Sequence, residues 1–455
     1  MQAVQLSNRE RNILDITVVG TNYTGLVSAA CFAEMGNGVL CLDINESPIK
    51  QLQQGKTPLY EPGLDSILSE NLNAGRLNYS NDFSLISQEC QVFYIAVDTP
   101  SARDGSADLS ELWQVIDGIA KLIKQDSIII TASTVPVGTS EKIKNRVLQQ
   151  LSTPCTIDVV ANPQFLKEGT AVEDFNRPDR IIIGVESDKA KRLMTELYKP
   201  FSHSFDKLIF MGIRDAELTK YATNAMLATK ISFMNELANL AEKLKVDIEH
   251  VRTGMGADSR IGFSYIHPGC GYGGSFFPND VKTLINMGAE HGYQAKILHA
   301  IDDRNELQKM RLFEKLNEQF ENDLSGKTIA VWGLAFKPGT DDLRQAPSLV
   351  LIEALLKAGA KIRAYDPVAM DNARSYFSEN NFDESMITLV DHQYDALKDA
   401  DAMVLVTEWK PFIQPDFNAM KRLMKGLVIV DGRNQYDPAT LKADGFKYSG
   451  IGRTN

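Results

Sequence analysis

The stretch Ile16-Thr-Val-Val-Gly-Thr-Asn-Tyr-Thr-Gly25 places a β-branched run directly before a turn that contains glycine. A small-residue, apolar stretch follows the turn, and the next apolar run, Leu40-Cys-Leu-Asp43, ends on a carboxylate. In a dinucleotide-binding βαβ unit the pyrophosphate lies at the helix N-terminus and an acid at the end of the second strand binds the adenosine ribose. The order of features therefore predicts that a doubly wound α/β domain begins here.

The residues of this turn also indicate which dinucleotide is expected. Asp43 favours NAD, because a carboxylate at that position repels the additional phosphate of the phosphorylated cofactor. Gly20 and Gly25 match the first and last glycines of the usual pattern, whereas Asn22 stands where the middle glycine lets the backbone approach the pyrophosphate. The alternative is a doubly wound domain that no longer binds a dinucleotide well.

The alternation of short β-branched runs with amphipathic stretches continues to about residue 210, which is typical of βαβ units and a parallel sheet. From Leu218 to Leu244 apolar residues recur at steps of three and four, which predicts one long helix. A second α/β pattern follows from about residue 321. The strands predicted in this way include Ile16–Val19, Leu40–Asp43, Val92–Ile95, Ile128–Ile130, Ile157–Val160, Ile181–Ile183, Thr328–Val331, Lys361–Tyr365, Met403–Val406 and Leu427–Val430.

The predicted fold class is therefore α/β, with two Rossmann-like doubly wound domains joined by a long central helix. We expect an N-terminal extension over residues 1–12 and a first α/β domain, the NAD-binding one, over residues 13–210. A central helical segment over residues 211–320 and a second α/β domain over residues 321–455 complete the chain.

Composition excludes several classes of protein. The 455 residues carry 48 Lys and Arg against 59 Asp and Glu, a net charge of −11, whereas a nucleic-acid-coating protein needs a basic surface. The five cysteines are an odd number, are widely spread and contain no Cys-x-x-Cys pair or zinc-type cluster, so we expect reduced thiols and no metal. No signal-peptide or membrane-spanning run is visible, and a cytoplasmic location is expected.

Further motifs occur in a fixed order along the chain, and with the glycine turn they closely resemble the UDP-glucose 6-dehydrogenases of the UDP-glucose/GDP-mannose dehydrogenase family. The resemblance extends from about Ile16 to Ala443. The motifs are Pro58-Leu-Tyr-Glu-Pro-Gly-Leu64, Ser133-Thr-Val-Pro-Val-Gly-Thr139, Asn162-Pro-Gln-Phe-Leu-Lys-Glu-Gly169, Pro178-Asp-Arg-Ile181, Glu217-Leu-Thr-Lys-Tyr-Ala-Thr-Asn224, Gly271-Tyr-Gly-Gly-Ser-Phe-Phe-Pro-Asn-Asp280 and Phe336-Lys-Pro-Gly-Thr-Asp-Asp-Leu-Arg344.

The resemblance implies a two-step oxidation of the C6 alcohol of UDP-glucose, or of a related nucleotide sugar, to a carboxylate with two NAD. In the family a cysteine attacks the aldehyde intermediate and carries it to a thioester, which water hydrolyses. A thiol suits both halves because it is a good nucleophile and a good leaving group. By the same resemblance, Lys220, Asn224 and Asp280 stabilise the oxyanion and manage the proton, while Thr134 and Glu168 place and activate the water.

The remaining binding residues are also implied by the resemblance, with NAD assigned to the first domain and the UDP-sugar to the domain at residues 321–455. Arg260 matches an arginine that reaches the sugar site of a neighbouring subunit, so we expect a homodimer or a larger homo-oligomer. Contacts to NAD are implied for Gly20, Asn22, Tyr23, Gly25, Asp43, Thr99, Thr134 and Arg344. Contacts to the sugar nucleotide are implied for Phe165, Leu166, Glu168, Lys220, Asn224, Arg260, Tyr265, Gly273, Lys337 and Arg433.

Several positions depart from the family pattern at chemically sensitive points. Phe276 stands at the position of the nucleophilic cysteine and Asn279 at that of the neighbouring lysine, and Cys270 is the nearest thiol in the sequence. The other departures are Asn22, Asp98, Gln164 and Gln345.

These departures leave three hypotheses about function. The chain is a UDP-glucose 6-dehydrogenase that is slow or arrested at the first oxidation, a non-catalytic nucleotide-sugar-binding relative, or a purely structural oligomer. The sequence does not decide which sugar is bound, how large the oligomer is, or whether the substitutions are natural.

Overall fold

The computed structural model describes residues 14–87, 90–102, 104–202 and 207–453. The predicted N-terminal extension, residues 1–12, lies outside the described residues. The chain divides into two compact units, with the boundary between Ala222 and Thr223.

Unit 1 is built on one sheet, which in its described residues has the strand order β3-β2-β1-β4-β5-β6-β7-β8. The two faces carry separate apolar clusters, so that Val18 packs into one cluster and its neighbour Val19 into the other. The strands are β1 (Asp15–Val19), β2 (Gly38–Leu42), β3 (Leu77–Ser80), β4 (Val92–Ile95), β5 (Ser127–Thr131), β6 (Ile157–Ala161), β7 (Ile181–Gly184) and β8 (Leu208–Met211).

The helices of unit 1 connect these strands. They are α1 (Tyr23–Glu34), α2 (Glu46–Gln53), α3 (Leu64–Asn73), α4 (Ser110–Ala120), α5 (Thr139–Gln150), α6 (Ala171–Asn176) and α7 (Asp188–Tyr198). The order of β1 to β6 is that of a Rossmann fold, which brings the carboxyl ends of β1 and β4 together where the strand order reverses.

The predicted parallel sheet is confirmed, with one exception: β6 and β7 run antiparallel and meet at Ala161 and Gly184. A parallel neighbour needs a crossover that carries the chain back to the other end of the sheet. The connection after β6 contains only the six-residue helix α6, which is about 9 Å long at 1.5 Å per residue. The chain therefore returns from the end at which β6 finished.

The predicted long helix is confirmed as α8 (Ile213–Leu244), a continuous helix of 32 residues. It begins in unit 1 and continues into unit 2, since the unit boundary falls within it. No helix among the described residues is long and apolar enough to cross a membrane.

Unit 2 contains a second sheet, parallel throughout its described strands, in the order β11-β10-β9-β12-β13-β14. Its strands are β9 (Thr328–Trp332), β10 (Lys361–Tyr365), β11 (Ile387–Leu389), β12 (Ala402–Leu405), β13 (Val428–Asp431) and β14 (Lys447–Gly450). Its helices after α8 are α9 (Ile248–Gly256), α10 (Phe277–Glu290), α11 (Lys296–Lys309), α12 (Arg311–Gln319), α13 (Pro347–Lys357), α14 (Met370–Glu379), α15 (Gln393–Ala396), α16 (Lys410–Ile413), α17 (Phe417–Leu423) and α18 (Pro438–Ala443).

Candidate active site

The glycine turn after β1 and the acid after β2 are held together by hydrogen bonds. Gly20 has φ +116°, a conformation that disfavours any side chain. The backbone N–H of Thr21 donates to Asp43 Oδ2 over 2.7 Å, its hydroxyl donates to the same oxygen over 2.5 Å, and Asn45 N–H donates to Oδ1 over 2.8 Å. Asp43 is buried. This part of the turn fits the ribose side of a dinucleotide, because a fixed carboxylate lies beside the turn.

Asn22 is the N-cap of α1, and its backbone is extended at φ −72° and ψ −176°, so the position does not require glycine for conformational reasons. Its side-chain oxygen accepts from Gly25 N–H over 2.9 Å. Its Nδ2 donates to Asp98 Oδ1 over 2.8 Å. Two departures from the family pattern are therefore hydrogen-bonded to each other, and the pyrophosphate side of the turn fits a dinucleotide less well than the ribose side.

Tyr23 connects the turn to the segment after β6. Its hydroxyl donates to the carboxylate of Glu61 and accepts from Gly169 N–H over 2.7 Å. Glu61 also accepts from Gly169 N–H over 2.5 Å and from Ala171 N–H over 2.7 Å. The motif around Glu61 thus fixes the start of α6, a positioning role that the sequence pattern alone does not indicate.

The segments that follow β4 and β5 are hydrogen-bonded to each other. They contain Thr99 and Thr134, which the family resemblance assigns to NAD binding and, for Thr134, also to placing the hydrolytic water. The Thr99 hydroxyl donates to the Thr134 carbonyl over 2.7 Å. The N–H groups of Gly138 and Ser140 donate to the buried carboxylate of Glu217 over 2.6 and 2.8 Å. Burial raises the pKa of Glu217, while these donors oppose the shift. Glu217 attaches the Thr134 motif to α8, which is a second positioning role that sequence reasoning missed.

The predicted sugar-contact residues of unit 1 lie around the segment after β6. Lys220 is buried, and its Nζ donates to the Gln164 carbonyl over 2.6 Å. The same ammonium lies 5.2 Å from the centre of the Phe165 ring, and the Arg180 guanidinium lies 3.9 Å from it. Burial lowers the pKa of Arg180. Leu166 and Glu168 are also buried. Two cations from elsewhere in unit 1 therefore lie against a short segment that carries a ring and a carboxylate.

In unit 2 the structure brings three predicted residues together at the start of α10. Asn224 Nδ2 donates to Asp280 Oδ2 over 2.5 Å, and both side chains are buried. Phe276 is the N-cap residue of α10, and its backbone carbonyl accepts from Asp280 N–H over 2.8 Å. The residue one helical turn before Asp280 therefore carries a half-buried phenyl ring instead of a thiol.

Cys270 does not replace the missing thiol. It lies in the apolar core of unit 2, where its Sγ is 3.7 Å from the Val406 carbonyl. Burial raises the pKa of this thiol, which disfavours the thiolate that acts as a nucleophile. Cys270 is therefore a core residue.

The glycine loop before α10 packs against the motif at residues 336–344. Gly274 N–H donates to the Arg344 carbonyl over 2.8 Å, and a Cβ on Gly273 would approach within 2.5 Å of the Gln345 carbonyl. Arg433 Nε donates to the Val406 carbonyl over 2.8 Å and lies 3.2 Å from the Glu408 carboxylate. Arg433 Nη1 also donates to the Gly271 carbonyl over 3.4 Å, so Arg433 and the glycine loop are parts of one packed region of unit 2.

The other predicted contacts of unit 2 are more exposed. Arg260 is 87% exposed and pairs with Asp258, while Arg344 is 57% exposed and pairs with Asp342 at 2.7 Å. Lys337 Nζ lies 5.8 Å from the centre of the Phe336 ring. Tyr265 has φ +63°, and its ring centre is 6.2 Å from that of Phe277. Among the described residues, no group of three or more His, Cys, Asp or Glu side chains is arranged to hold a metal ion.

Comparison with known proteins agrees with this organisation. Three domain profiles of the UDP-glucose/GDP-mannose dehydrogenase family match in order: the NAD binding domain at residues 14–202, the central domain at residues 214–307 and the UDP binding domain at residues 330–438. The UDP-glucose 6-dehydrogenase of Pseudomonas aeruginosa is 49% identical over 441 residues, which cover 96% of this chain and 97% of that protein.

Other relatives show the same full-length match. The UDP-glucose 6-dehydrogenase of Rhizobium meliloti is 40% identical and covers 97% of this chain and 100% of its own length. The structure of a UDP-glucose dehydrogenase from Pyrobaculum islandicum superposes with a TM-score of 0.88 at 34% identity, covering 98% of this chain and 99% of that one. With the glycine turn, Asp43 and two Rossmann-like sheets in place, this chain belongs to the UDP-glucose/GDP-mannose dehydrogenase family, whose cofactor is NAD.

Proposed function

We propose that this chain acts on UDP-glucose as a 6-dehydrogenase whose oxidation stops before the carboxylate. The observation that carries the proposal is the arrangement at the start of α10. Asn224 and Asp280 are hydrogen-bonded to each other there, and Phe276 lies one helical turn before Asp280. The first pair supplies groups for removing hydrogen from an alcohol, whereas the phenyl ring supplies no nucleophile. The names of the relatives support UDP-glucose as the substrate.

The first oxidation needs groups that this chain retains. NAD, when bound, accepts the hydride from C6. The Lys220 ammonium and the Asn224 amide, which match the oxyanion-stabilising residues of the family, stabilise the negative charge that develops on the C6 oxygen. Asp280, hydrogen-bonded to Asn224, takes up the hydroxyl proton, so that the alcohol becomes an aldehyde.

The second oxidation needs a group that this chain lacks. An aldehyde has no hydride to give until a nucleophile adds to it, and the family uses a thiol for that addition. Phe276 cannot add to a carbonyl, and Cys270 is in the core. Without a thioester, Thr134 and Glu168 have no acyl group to deliver water to.

The experiment is a count of NADH per sugar with purified protein, UDP-glucose and NAD at several millimolar. We expect no more than one NADH per sugar from the unmodified chain, and a higher count with UDP-glucuronate as product from Phe276→Cys. Cys270→Ser is the matched control, because replacing a core cysteine is expected to leave the number of NADH per sugar unchanged. Sustained release of two NADH per sugar by the unmodified chain would refute the proposal.

A second candidate function is binding of the nucleotide sugar without turnover, in a protein that pairs with or regulates an active relative. Two observations favour it: the Asn22–Asp98 bond alters the cofactor turn, and Phe276 removes the thiol. Both departures affect catalysis, while Lys337 and Arg433 retain the positions that the family uses for the nucleotide sugar. Calorimetric binding of UDP-glucose with no NADH formed at any NAD concentration would establish this candidate in place of the first.

We also propose that the chain forms a homodimer through the exposed face of α8. Met226, Phe233 and Leu240 are 61%, 52% and 49% exposed and follow each other at intervals of seven residues, which puts them on one side of the helix. A second copy would cover this apolar stripe. In sedimentation, Phe233→Glu is expected to shift the protein to monomer, whereas Tyr293→Glu, at a residue 70% exposed and outside α8, leaves it unchanged. Equal masses for the two variants would exclude this interface.

A cytoplasmic location is proposed on chemical grounds. The five cysteines are free thiols. Reduced thiols fit a compartment kept reducing by glutathione and thioredoxin. Fractionation of cells that express a tagged chain tests the assignment.

A further inference from the structure

The N-terminus of α1 is already occupied by a side chain of the protein itself. The side-chain Oδ1 of Asn22 accepts from Gly25 N–H, one of the amides that a helix leaves without an internal partner. In a dinucleotide-binding turn these amides face the pyrophosphate. In this chain a ligand must displace the Asn22 side-chain oxygen before Gly25 N–H can bind a phosphate oxygen.

The same asparagine holds a negative charge close to the turn. Asn22 Nδ2 donates to Asp98 Oδ1 over 2.8 Å, and Asp98 follows β4, the strand next to β1 in the sheet. A carboxylate near a helix N-terminus gains from the helix dipole, as a pyrophosphate does. The carboxylate also repels any anion that approaches the same amides.

The carboxyl group of Glu111 responds to the negative charge around the glycine turn. Glu111, in the first turn of α4, has its pKa raised to about 7, first by burial and then by the charges of Asp43 and Asp98. Negative charge is therefore already concentrated around the turn in unit 1. A pyrophosphate adds to the same repulsion.

We infer that the Asn22–Asp98 pair acts as one built-in competitor of the dinucleotide, so that this chain binds NAD weakly and recovers tight binding only when both residues are replaced. The two residues depend on each other. Asn22→Gly frees Gly25 N–H but leaves the Asp98 charge beside it without its asparagine donor. Asp98→Gly removes the charge but leaves the cap. Neither single substitution therefore removes both the cap on Gly25 N–H and the negative charge near the pyrophosphate position.

The test is a double-mutant cycle with NAD affinity, measured by calorimetry on the full chain, as its readout. We expect each single glycine variant to bind NAD no more than about threefold more tightly, the size of one exposed charge or cap effect. The double variant is expected to gain roughly thirtyfold, because the released Gly25 N–H binds a phosphate oxygen without an opposing charge beside it. The inference concerns binding alone, so it does not depend on turnover of UDP-glucose.

Matched controls separate this inference from general effects on the fold. Asp104→Asn removes one charge from the same loop, at an exposed residue that accepts from Ser106, and is expected to leave NAD affinity within about twofold. Adenosine, which carries the ribose but no phosphate, is expected to bind all variants equally. Asp98→Asn removes the charge but keeps an oxygen that can accept from Asn22, so it measures the effect of the charge on NAD affinity separately.

Three outcomes would overturn the inference. The first is a double variant whose gain equals the product of the two single gains. The second is unmodified protein that binds NAD as tightly as the double variant. The third is a parallel rise in adenosine affinity, because that result would locate the effect at the ribose side of the turn. Melting curves of the four proteins check that each is folded, which we expect because glycine is tolerated at an N-cap.

Discussion

The Asn224 amide and the Asp280 carboxylate form a buried 2.5 Å hydrogen bond that attaches α8 to the first turn of α10. Asp280→Ala leaves a buried amide without this acceptor, so we expect the free energy of unfolding to fall by about 2 kcal/mol. Urea unfolding of the full chain measures the loss. Asn224→Ala with Asp280→Ala should lose less than the sum of the single losses. Simple additivity would mean that this bond contributes nothing of its own to stability.

The cysteines give a prediction that needs no ligand. Cys155 is partly exposed, whereas Cys31, Cys41, Cys90 and Cys270 are buried. In the native protein a thiol reagent is expected to label Cys155 alone, slowly because burial raises its pKa, and to label all five thiols after unfolding in urea. Phe276→Cys should add a second thiol that reacts in the native state, because residue 276 is only half-buried. Labelling of Cys270 in the native state would contradict its assignment to the core.

Glu111 predicts a pH dependence of stability. Its folded pKa of about 7 lies above its ordinary value of 4.5, so the folded chain binds this proton more tightly than the unfolded chain. Stability therefore falls as the pH rises from about 4.5 to about 7. Glu111→Gln removes the effect and is expected to stabilise the chain by about 1 kcal/mol above pH 7, a value discounted for the half-exposed position.

The measurement is urea unfolding of both proteins at a series of pH values. The stabilisation by Glu111→Gln should vanish below the ordinary pKa of 4.5, where the carboxyl group is protonated in the folded and unfolded chain alike. A difference that stays constant over this range would show that the charge of Glu111 is not its cause. Asp104→Asn serves again as the comparison for loss of one acidic charge.

Lys309 and Gln345 predict a stabilising substitution in unit 2. Lys309 is 1% exposed, and its Nζ lies 2.9 Å from Glu306 and 3.3 Å from the amide oxygen of Gln345. Gln345→Glu offers this buried ammonium a charged acceptor of the same length, so we expect a gain of about 1 kcal/mol at pH 7. The gain should disappear as acid protonates the new carboxyl group. Gln345→Ala, which offers no acceptor, should lower stability, and a loss with Gln345→Glu would contradict the prediction.

The parts of the fold that the sequence predicted are those whose strands are buried on both faces. Central strands such as β1 and β4 are continuous apolar runs, because helices cover both sides of the sheet. The strands that the pattern missed are β3, β8, β11 and β14, which are the two edges of each sheet in the described residues. Three of these edge strands carry no continuous apolar run, as Lys447-Tyr-Ser-Gly450 illustrates, whereas β8, Leu208-Ile-Phe-Met211, is apolar but partly exposed.

The site was predictable as a set of residues but not as a set of bonds. Glu61 and Glu217 lay in quoted motifs, yet their role as acceptors for backbone N–H groups depends on contacts between segments that are more than 70 residues apart. In the same way Asn22 and Asp98 were recognised as departures one at a time. Their hydrogen bond joins positions that are 76 residues apart in the chain, so no local sequence pattern predicts it.

The Asn22–Asp98 bond also has a consequence for the history of this chain. Natural selection tests substitutions one at a time. If the two residues are replaced one at a time, each step leaves either the helix cap or the Asp98 carboxylate in place, and each intermediate offers selection only a small part of the gain in cofactor affinity. A lineage that acquired both residues would therefore keep them, even if a better cofactor site lay two substitutions away.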